Sequence, residues 1–218
     1  MNYTHPKRKT KVVFVQLGSP SEPTTKALRK YLRKFLGDPR VVDINPWIWK
    51  IILNCFVLPF RPRKSAKLYA RIWDGESFPL ITNTRDFTTN VSEELKKIDP
   101  EGYVEVNHAF LLSPPYVNEV YDSWEEDLKK GIGATKLLVI PMFPQYSEST
   151  IASGIDALAK EISKRVKIPT FEVITNFHRT HAFIDNSVNQ VDTKLEELIK
   201  KGKKIDSLII TFHGMQKR

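Results

Sequence analysis

Lys11-Val12-Val13-Phe14-Val15-Gln16-Leu17-Gly18-Ser19-Pro20 reads as a polar entry, a nearly continuous apolar run and a glycine-proline turn. A strand apolar on both sides is covered on both faces, which is the condition of a strand inside a parallel sheet. The period then changes. Thr24 or Thr25 caps a helix in which Leu28, Tyr31, Leu32, Phe35 and Leu36 fall on one face at helical spacing. The same switch recurs down the chain. Strands are expected at Lys11–Leu17, Arg40–Asp43, Tyr103–Ala109, Lys136–Met142, Thr170–Thr175 and Asp206–Phe212. Between them run one-sided apolar stripes: Phe87, Val91, Leu95 and Ile98; Val117, Val120, Tyr121, Trp124 and Leu128; Ile151, Ile155, Leu158, Ile162 and Val166. Each stripe needs a sheet to cover.

This alternation predicts an α/β protein with a Rossmann-like parallel sheet and helices on both faces. No G-x-G-x-x-G follows the first strand, so dinucleotide binding is not supported. The opening pattern has an echo at Ser207-Leu208-Ile209-Ile210-Thr211-Phe212-His213-Gly214, which predicts a second, similar domain that is only begun. The expected organisation is a basic tail at 1–10, a first domain at 11–180, a connecting helix and loop at 181–205, and an opening strand at 206–218.

Bulk composition narrows the class. A chain of 218 residues with 41% hydrophobic and 27% charged residues has enough apolar matter for a sizeable core. The single cysteine, Cys55, excludes an internal disulfide and a cysteine-built metal cluster, and is expected to be a buried small hydrophobe. The net charge of +9, from 34 basic and 25 acidic residues, draws anionic partners in general. No nucleic-acid motif accompanies the two basic clusters, so nucleic acid is not an expected partner. The apolar tract 44–60 is too short and too interrupted to span a bilayer. The chain is therefore expected in the cytoplasm, with peripheral contact at a membrane through that tract.

Three places carry chemistry. Pro141-Met142-Phe143-Pro144-Gln145-Tyr146-Ser147-Glu148-Ser149-Thr150 follows a strand and leads into a helix, so it is either a capped connection with Ser149 or Thr150 at the free N–H groups, or a pocket wall. Trp47-Ile48-Trp49-Lys50-Ile51-Ile52-Leu53 is either a core helix or an apolar lip over a flat ligand. Tyr69-Ala70-Arg71-Ile72-Trp73 adds a guanidinium beside aromatics, which is either an arginine in a surface ion pair or a holder for a carboxylate-bearing aromatic macrocycle. His213 stands at the carboxyl end of an expected strand, where ligand chemistry gathers in open α/β sheets.

Taken in order, these segments resemble one family. Val15-Gln16-Leu17-Gly18-Ser19-Pro20 is similar to its N-L-G-T-P, and Tyr31-Leu32-Arg33-Lys34-Phe35-Leu36-Gly37-Asp38 with Arg40-Val41-Val42 to its Y-L-x-x-F-L-x-D-x-R-V. Tyr69 to Trp73 leading to Ser77-Phe78-Pro79-Leu80 resembles Y-x-x-I-W-x-x-x-G-S-P-L. Pro141 to Ser147 with Thr150 resembles P-L-Y-P-Q-Y-S-x-x-T, and Thr211 to Arg218 resembles Y-H-G-I-P-x-R. The family is ferrochelatase, which inserts ferrous iron into a porphyrin in haem synthesis. The resemblance implies that His213 is the metal-side catalytic residue. It implies pocket positions at Leu17, Tyr69, Arg71, Gln145, Tyr146 and Ser147, and a lip at the porphyrin mouth over 47–60. It also implies ferrous iron as substrate, with no permanently bound cofactor.

Departures accompany the match. Phe110 stands where the family has an arginine, Met215-Gln216 where it has Ile-Pro, and the glycine before Ser77 is displaced to Gly75. Family members carry a second domain with a glutamate opposite the histidine, which this sequence does not contain. The chain is accordingly expected to be half of a chelatase, weakly active or inactive alone. The alternatives are a non-catalytic porphyrin- or metal-binding half, or a short chelatase completed by pairing of two copies. The residues select neither protoporphyrin nor coproporphyrin and leave the oligomeric state open.

Overall fold

A computed structural model describes residues 9–214. They form two compact units, one ending at Asn176 and the other beginning at Phe177. In the first unit four strands make one sheet: β1 (Thr10–Gln16), β2 (Val104–Phe110), β3 (Lys136–Pro141) and β4 (Thr170–Val173). Their order is β2-β1-β3-β4 and every pair is parallel. The chain has the α/β, Rossmann-like architecture that its alternating periods require.

Helices cover both faces. On one face Val13, Val15, Ala109, Leu137, Val139 and Leu158 form a buried cluster, joined by Val117 and Val120 from α5 (Val117–Lys129) and Ile162 from α6 (Ser153–Ile162). On the other, the Phe14 ring meets Phe87 of α4 (Pro79–Ile98) edge-on at 5.1 Å between centroids. Each fully buried valine or leucine in such a core is worth about 2 kcal/mol relative to exposure. Lys11 is 1% exposed, and its ammonium is held between Glu105 at 3.2 Å and Asp127 at 3.3 Å. A buried cation needs that pairing.

Helix α1 (Thr25–Leu36) starts where its sequence cap predicts, with the Thr24 hydroxyl accepting the Ala27 N–H at 3.2 Å. It packs Tyr31, Leu32 and Leu36 against Leu53 and Leu58. Those two belong to an unusual helical run: α2 (Pro46–Ile52), a π-helical turn (Leu53–Val57) and α3 (Leu58–Tyr69). The Leu58 N–H reaches back five residues to the Leu53 carbonyl immediately before Pro59. Proline has no N–H to continue the four-residue ladder, and the turn widens where the ladder is interrupted.

Three expectations are corrected. Residues 40–43 are a turn and loop, not a strand: the Asp38 carbonyl accepts the N–H groups of Val41 and Val42, both at 3.0 Å, and the Asp38 carboxylate accepts Arg40 N–H at 2.8 Å. Local side-chain bonding of this kind competes with a ladder. Val41 and Val42 still pack against the α1–α3 cluster, which accounts for their apolar character. Residues 206–212 have no regular secondary structure and pair with nothing as a strand among the described residues. A strand's hydrogen bonds are lateral, so apolar content alone does not make one. Cys55 is exposed in the π-helical turn, because that turn directs Leu53 inward instead. Met215 and Gln216 lie outside the described residues.

In the second unit, α7 (His181–Lys200) is capped by the Thr180 hydroxyl, which accepts the Phe183 N–H at 3.3 Å. Phe177 packs edge-on against Phe183.

Candidate functional site

The sheet order places the site. From β1 the chain passes to β2 on one side, then returns to lay β3 against the other side of β1. Loops leaving the carboxyl ends of β1 and β3 therefore diverge, and the crevice between them is where ligands enter open α/β sheets. Leu17 begins the first of these loops, and Gln145, Tyr146 and Ser147 lie in the second. Backbone bonds lace the edge together: the Met142 N–H donates to the Val15 carbonyl at 2.8 Å, and the Leu112 N–H to the Leu17 carbonyl at 3.0 Å.

Gly18 fixes how closely the loops approach. Its φ is +91°, a region that penalises a side chain, and a Cβ there would lie 2.3 Å from the Ser113 hydroxyl oxygen. The adjacent Ser19 N–H donates to that hydroxyl at 3.3 Å.

Beside this loop opens a cavity of about 350 Å³, walled by Ser19, Lys30, Tyr31, Lys34, Trp73, Ser77, Phe78 and Ser113 among others. Its apolar side is a ring cluster. Phe78 is buried, 4.7 Å from Trp73 and 5.5 Å from Tyr69 between centroids, and Tyr69 meets Tyr31 at 6.2 Å. Burial, followed by the neighbouring Tyr69 phenol, raises the Tyr31 hydroxyl well above the usual tyrosine range. Tyr31 thus stays neutral and donates to the Gly18 carbonyl at 3.4 Å.

Of the sequence-derived positions, Leu17 and the 145–147 segment share the carboxyl edge, and Tyr69 joins it through the ring cluster. Gln145 and Tyr146 are exposed. The Ser147 hydroxyl lies 3.2 Å from that of Ser149 and 2.8 Å from that of Thr150. The following turn, Glu148–Ala152, is π-helical, and the N–H groups of Thr150, Ile151 and Ala152 go to the Ser147 carbonyl instead of a Ser149 or Thr150 side chain. Arg71 lies just past α3, exposed. His213 belongs to the second unit, exposed, with Nδ1 2.7 Å from the Gly214 carbonyl oxygen. Trp47 is 78% exposed and Phe60 73%, with Ile48, Ile51 and Phe56 also open, so this helical run is not a core helix and leaves an apolar face uncovered. Among the described residues, no three His, Cys, Asp or Glu side chains converge as a metal cluster.

Sequence reading missed Lys30, Lys34, Phe78 and Ser113 as site residues. The two lysines had a signal, their spacing of one helical turn beside Tyr31. Ser113 had none, since its role depends on the approach of a distant loop. Phe110, at the family's arginine position, is fully buried with its ring edge-on to His108 at 5.5 Å.

Comparison with known proteins shows the family. The family model described as Ferrochelatase matches residues 9–218. A ferrochelatase of Idiomarina loihiensis is 37% identical over 207 residues, covering 95% of this chain and 54% of the relative. A ferrochelatase of Herminiimonas arsenicoxydans is 38% identical over 217 residues, covering 99% and 56%. A coproporphyrin III ferrochelatase of Streptococcus mutans is 34% identical over 211 residues, covering 97% and 61%. The chain thus spans little more than half the length of the relatives it matches.

Proposed function

This chain belongs to the ferrochelatase family, and from that membership we propose that it supplies the porphyrin-facing first unit of an enzyme that inserts ferrous iron into a porphyrin during haem synthesis. The observation that carries the reading is the meeting of family-matched loops, Leu17-Gly18-Ser19-Pro20 and Pro144-Gln145-Tyr146-Ser147, at the one edge where the strand order reverses. In this reading Leu17, Tyr69, Arg71, Gln145, Tyr146 and Ser147 line the macrocycle's pocket.

The reaction exchanges one divalent ion for two pyrrole N–H protons, so a base must stand near the metal's path. His213 is assigned that role: its imidazole takes a proton or hands the ion to the ring nitrogens. Residues 206–218 then open a second domain. The 46–69 run carries exposed Trp47, Ile48, Ile51, Phe56 and Phe60 together with Lys50, Arg61, Arg63, Lys64 and Lys67 and no acid, a composition suited to the surface of an anionic bilayer. No helix among the described residues is long and apolar enough to cross one.

The test is a spectrophotometric titration of porphyrin with the chain, followed by anaerobic ferrous iron. Binding should shift the porphyrin absorption, and Tyr69→Ala should weaken it about tenfold, the equivalent of ~1.4 kcal/mol. Iron should then convert the free-base spectrum to the metalloporphyrin faster than in buffer, and His213→Ala should remove that acceleration. No spectral shift at any chain concentration would refute the reading.

A further inference from the structure

Arg40 and Asp156 join two segments far apart in the chain. Arg40 lies in the loop that follows α1, where its own N–H is held by the Asp38 carboxylate at 2.8 Å. Asp156 stands in the first turn of α6, which the chain enters from the Pro144–Ser147 loop through the π-helical turn. Arg40 Nε donates to one Asp156 oxygen at 2.5 Å and Nη2 to the other at 2.9 Å. A carboxylate in that first turn suits the helix dipole by itself. A guanidinium fork from a distant loop is an additional constraint.

The constraint is one of geometry more than of stability. Both side chains are 38% exposed, and ion pairs so open to water stabilise a fold little. Packing does not hold the join either, since Asp38, Pro39, Leu112, Tyr116 and Asp156 line a cavity of about 290 Å³ there. A bidentate pair nevertheless fixes direction, because two parallel bonds lock two planar groups together. Its two anchors are both at the site. Helix α1 walls the cavity beside the β1 loop through Ala27 and Tyr31, and α6 continues from the segment that carries Gln145, Tyr146 and Ser147. Tyr146 is near enough to act on the clasp: hydrogen bonding to Asp156, followed by the charges of Asp156, Tyr146 and Asp38, raises Arg40 above its ordinary pKa.

We propose that Arg40 and Asp156 are positioning residues, whose pair clasps the end of α1 to α6 and holds the exposed Tyr146 in the attitude in which it meets the macrocycle. The inference rests on the reading that this chain binds porphyrin with Tyr146 at the pocket. The clasp sets how well the pocket is formed before the ligand arrives, and a loop left free to shift loses affinity out of proportion to any loss of stability.

The experiment titrates the intact chain with protoporphyrin in a detergent buffer, read by porphyrin absorption, beside thermal unfolding of the same samples. Arg40→Lys keeps the charge and loses the fork, and Asp156→Asn removes the paired charge. Each should weaken binding about fivefold, and the double variant no more than either single one. Their unfolding midpoints should fall by no more than about 3 °C. Tyr146→Ala should weaken binding about fivefold in the wild type but less than about twofold in Arg40→Lys, where the phenol is no longer held. Wild-type affinity in Arg40→Lys overturns the clasp and leaves the porphyrin reading standing. Losses from Arg40→Lys and Tyr146→Ala that add in full also overturn it, since Arg40 then does not act through Tyr146. A loss of affinity that comes with a midpoint lowered by about 10 °C or more overturns it as well, because it marks general destabilisation. Failure of the wild type to bind protoporphyrin overturns both the clasp and the reading beneath it.

Discussion

His108 shows how one residue couples this fold to pH. It lies half-buried on β2, beside the Phe110 ring, and desolvation, followed by the nearby positive charge of Arg85, lowers its pKa below the ordinary histidine value of 6.5. The folded state therefore prefers neutral imidazole. Above pH 6.5 both folded and unfolded chains carry it neutral and nothing is lost. As pH falls from there toward the lowered folded value, the unfolded chain takes up the proton first, and stability drains away. Urea unfolding at pH 7.5 and pH 5.5 should show a larger fall in midpoint for the wild type than for His108→Gln. Parallel falls would refute the coupling. At this scale the sequence was partly legible. Gly18 announced a turn, but only its approach to Ser113 explains why a side chain is barred there. Lys11 opened a strand that looked polar at its entry, and its burial is intelligible only through Glu105 and Asp127.

Among the elements, the run from α2 to α3 departs most from local expectation. Its composition allowed both a core helix and a lip, since periodicity does not say which side meets solvent. The packing decides: Leu53 and Leu58 serve the core, while the rest of the apolar surface is open. The proposed membrane contact predicts that this exposed apolar area and its basic neighbourhood would add to each other on an anionic bilayer. The chain should co-sediment with vesicles containing phosphatidylserine, and Trp47→Ser/Phe60→Ser should reduce the bound fraction several-fold, each buried aromatic being worth about 2 kcal/mol. Unchanged sedimentation of the variant would remove the lip from membrane contact. The 40–43 segment shows the opposite failure. Its valines read as a strand, yet Asp38 turns the backbone and Arg40 makes a bidentate pair with Asp156 at 2.5 and 2.9 Å, tying the loop to α6. That pair is partly exposed and contributes about 1 kcal/mol at most.

For the whole molecule, fold class followed directly from the alternating periods, because a helix stripe and a doubly buried strand are both local patterns. Strand order did not. Parallel neighbours are joined by long crossovers and carry no turn signature, so the placement of β1 between β2 and β3, and with it the crevice, emerged only in three dimensions. The second unit was the least legible part. Leu208, Ile209, Ile210 and Phe212 are 59–81% exposed. We predict that this uncharged apolar run associates with its own copies. Analytical ultracentrifugation of the chain should show concentration-dependent association that Ile209→Lys/Phe212→Lys diminishes, and a monomer at all concentrations would contradict it.

Trp73 gives the molecule a built-in optical reporter. Its indole stands in the cavity wall, whereas Trp124 is sealed in the core with its N–H donated to the Ala134 carbonyl at 2.7 Å, and Trp47 projects into solvent. Indole emission overlaps the near-ultraviolet absorption of a tetrapyrrole, and energy transfer falls steeply with distance. A macrocycle seated over the sheet edge would quench Trp73 first, so the order in which the indoles dim records where the pigment rests.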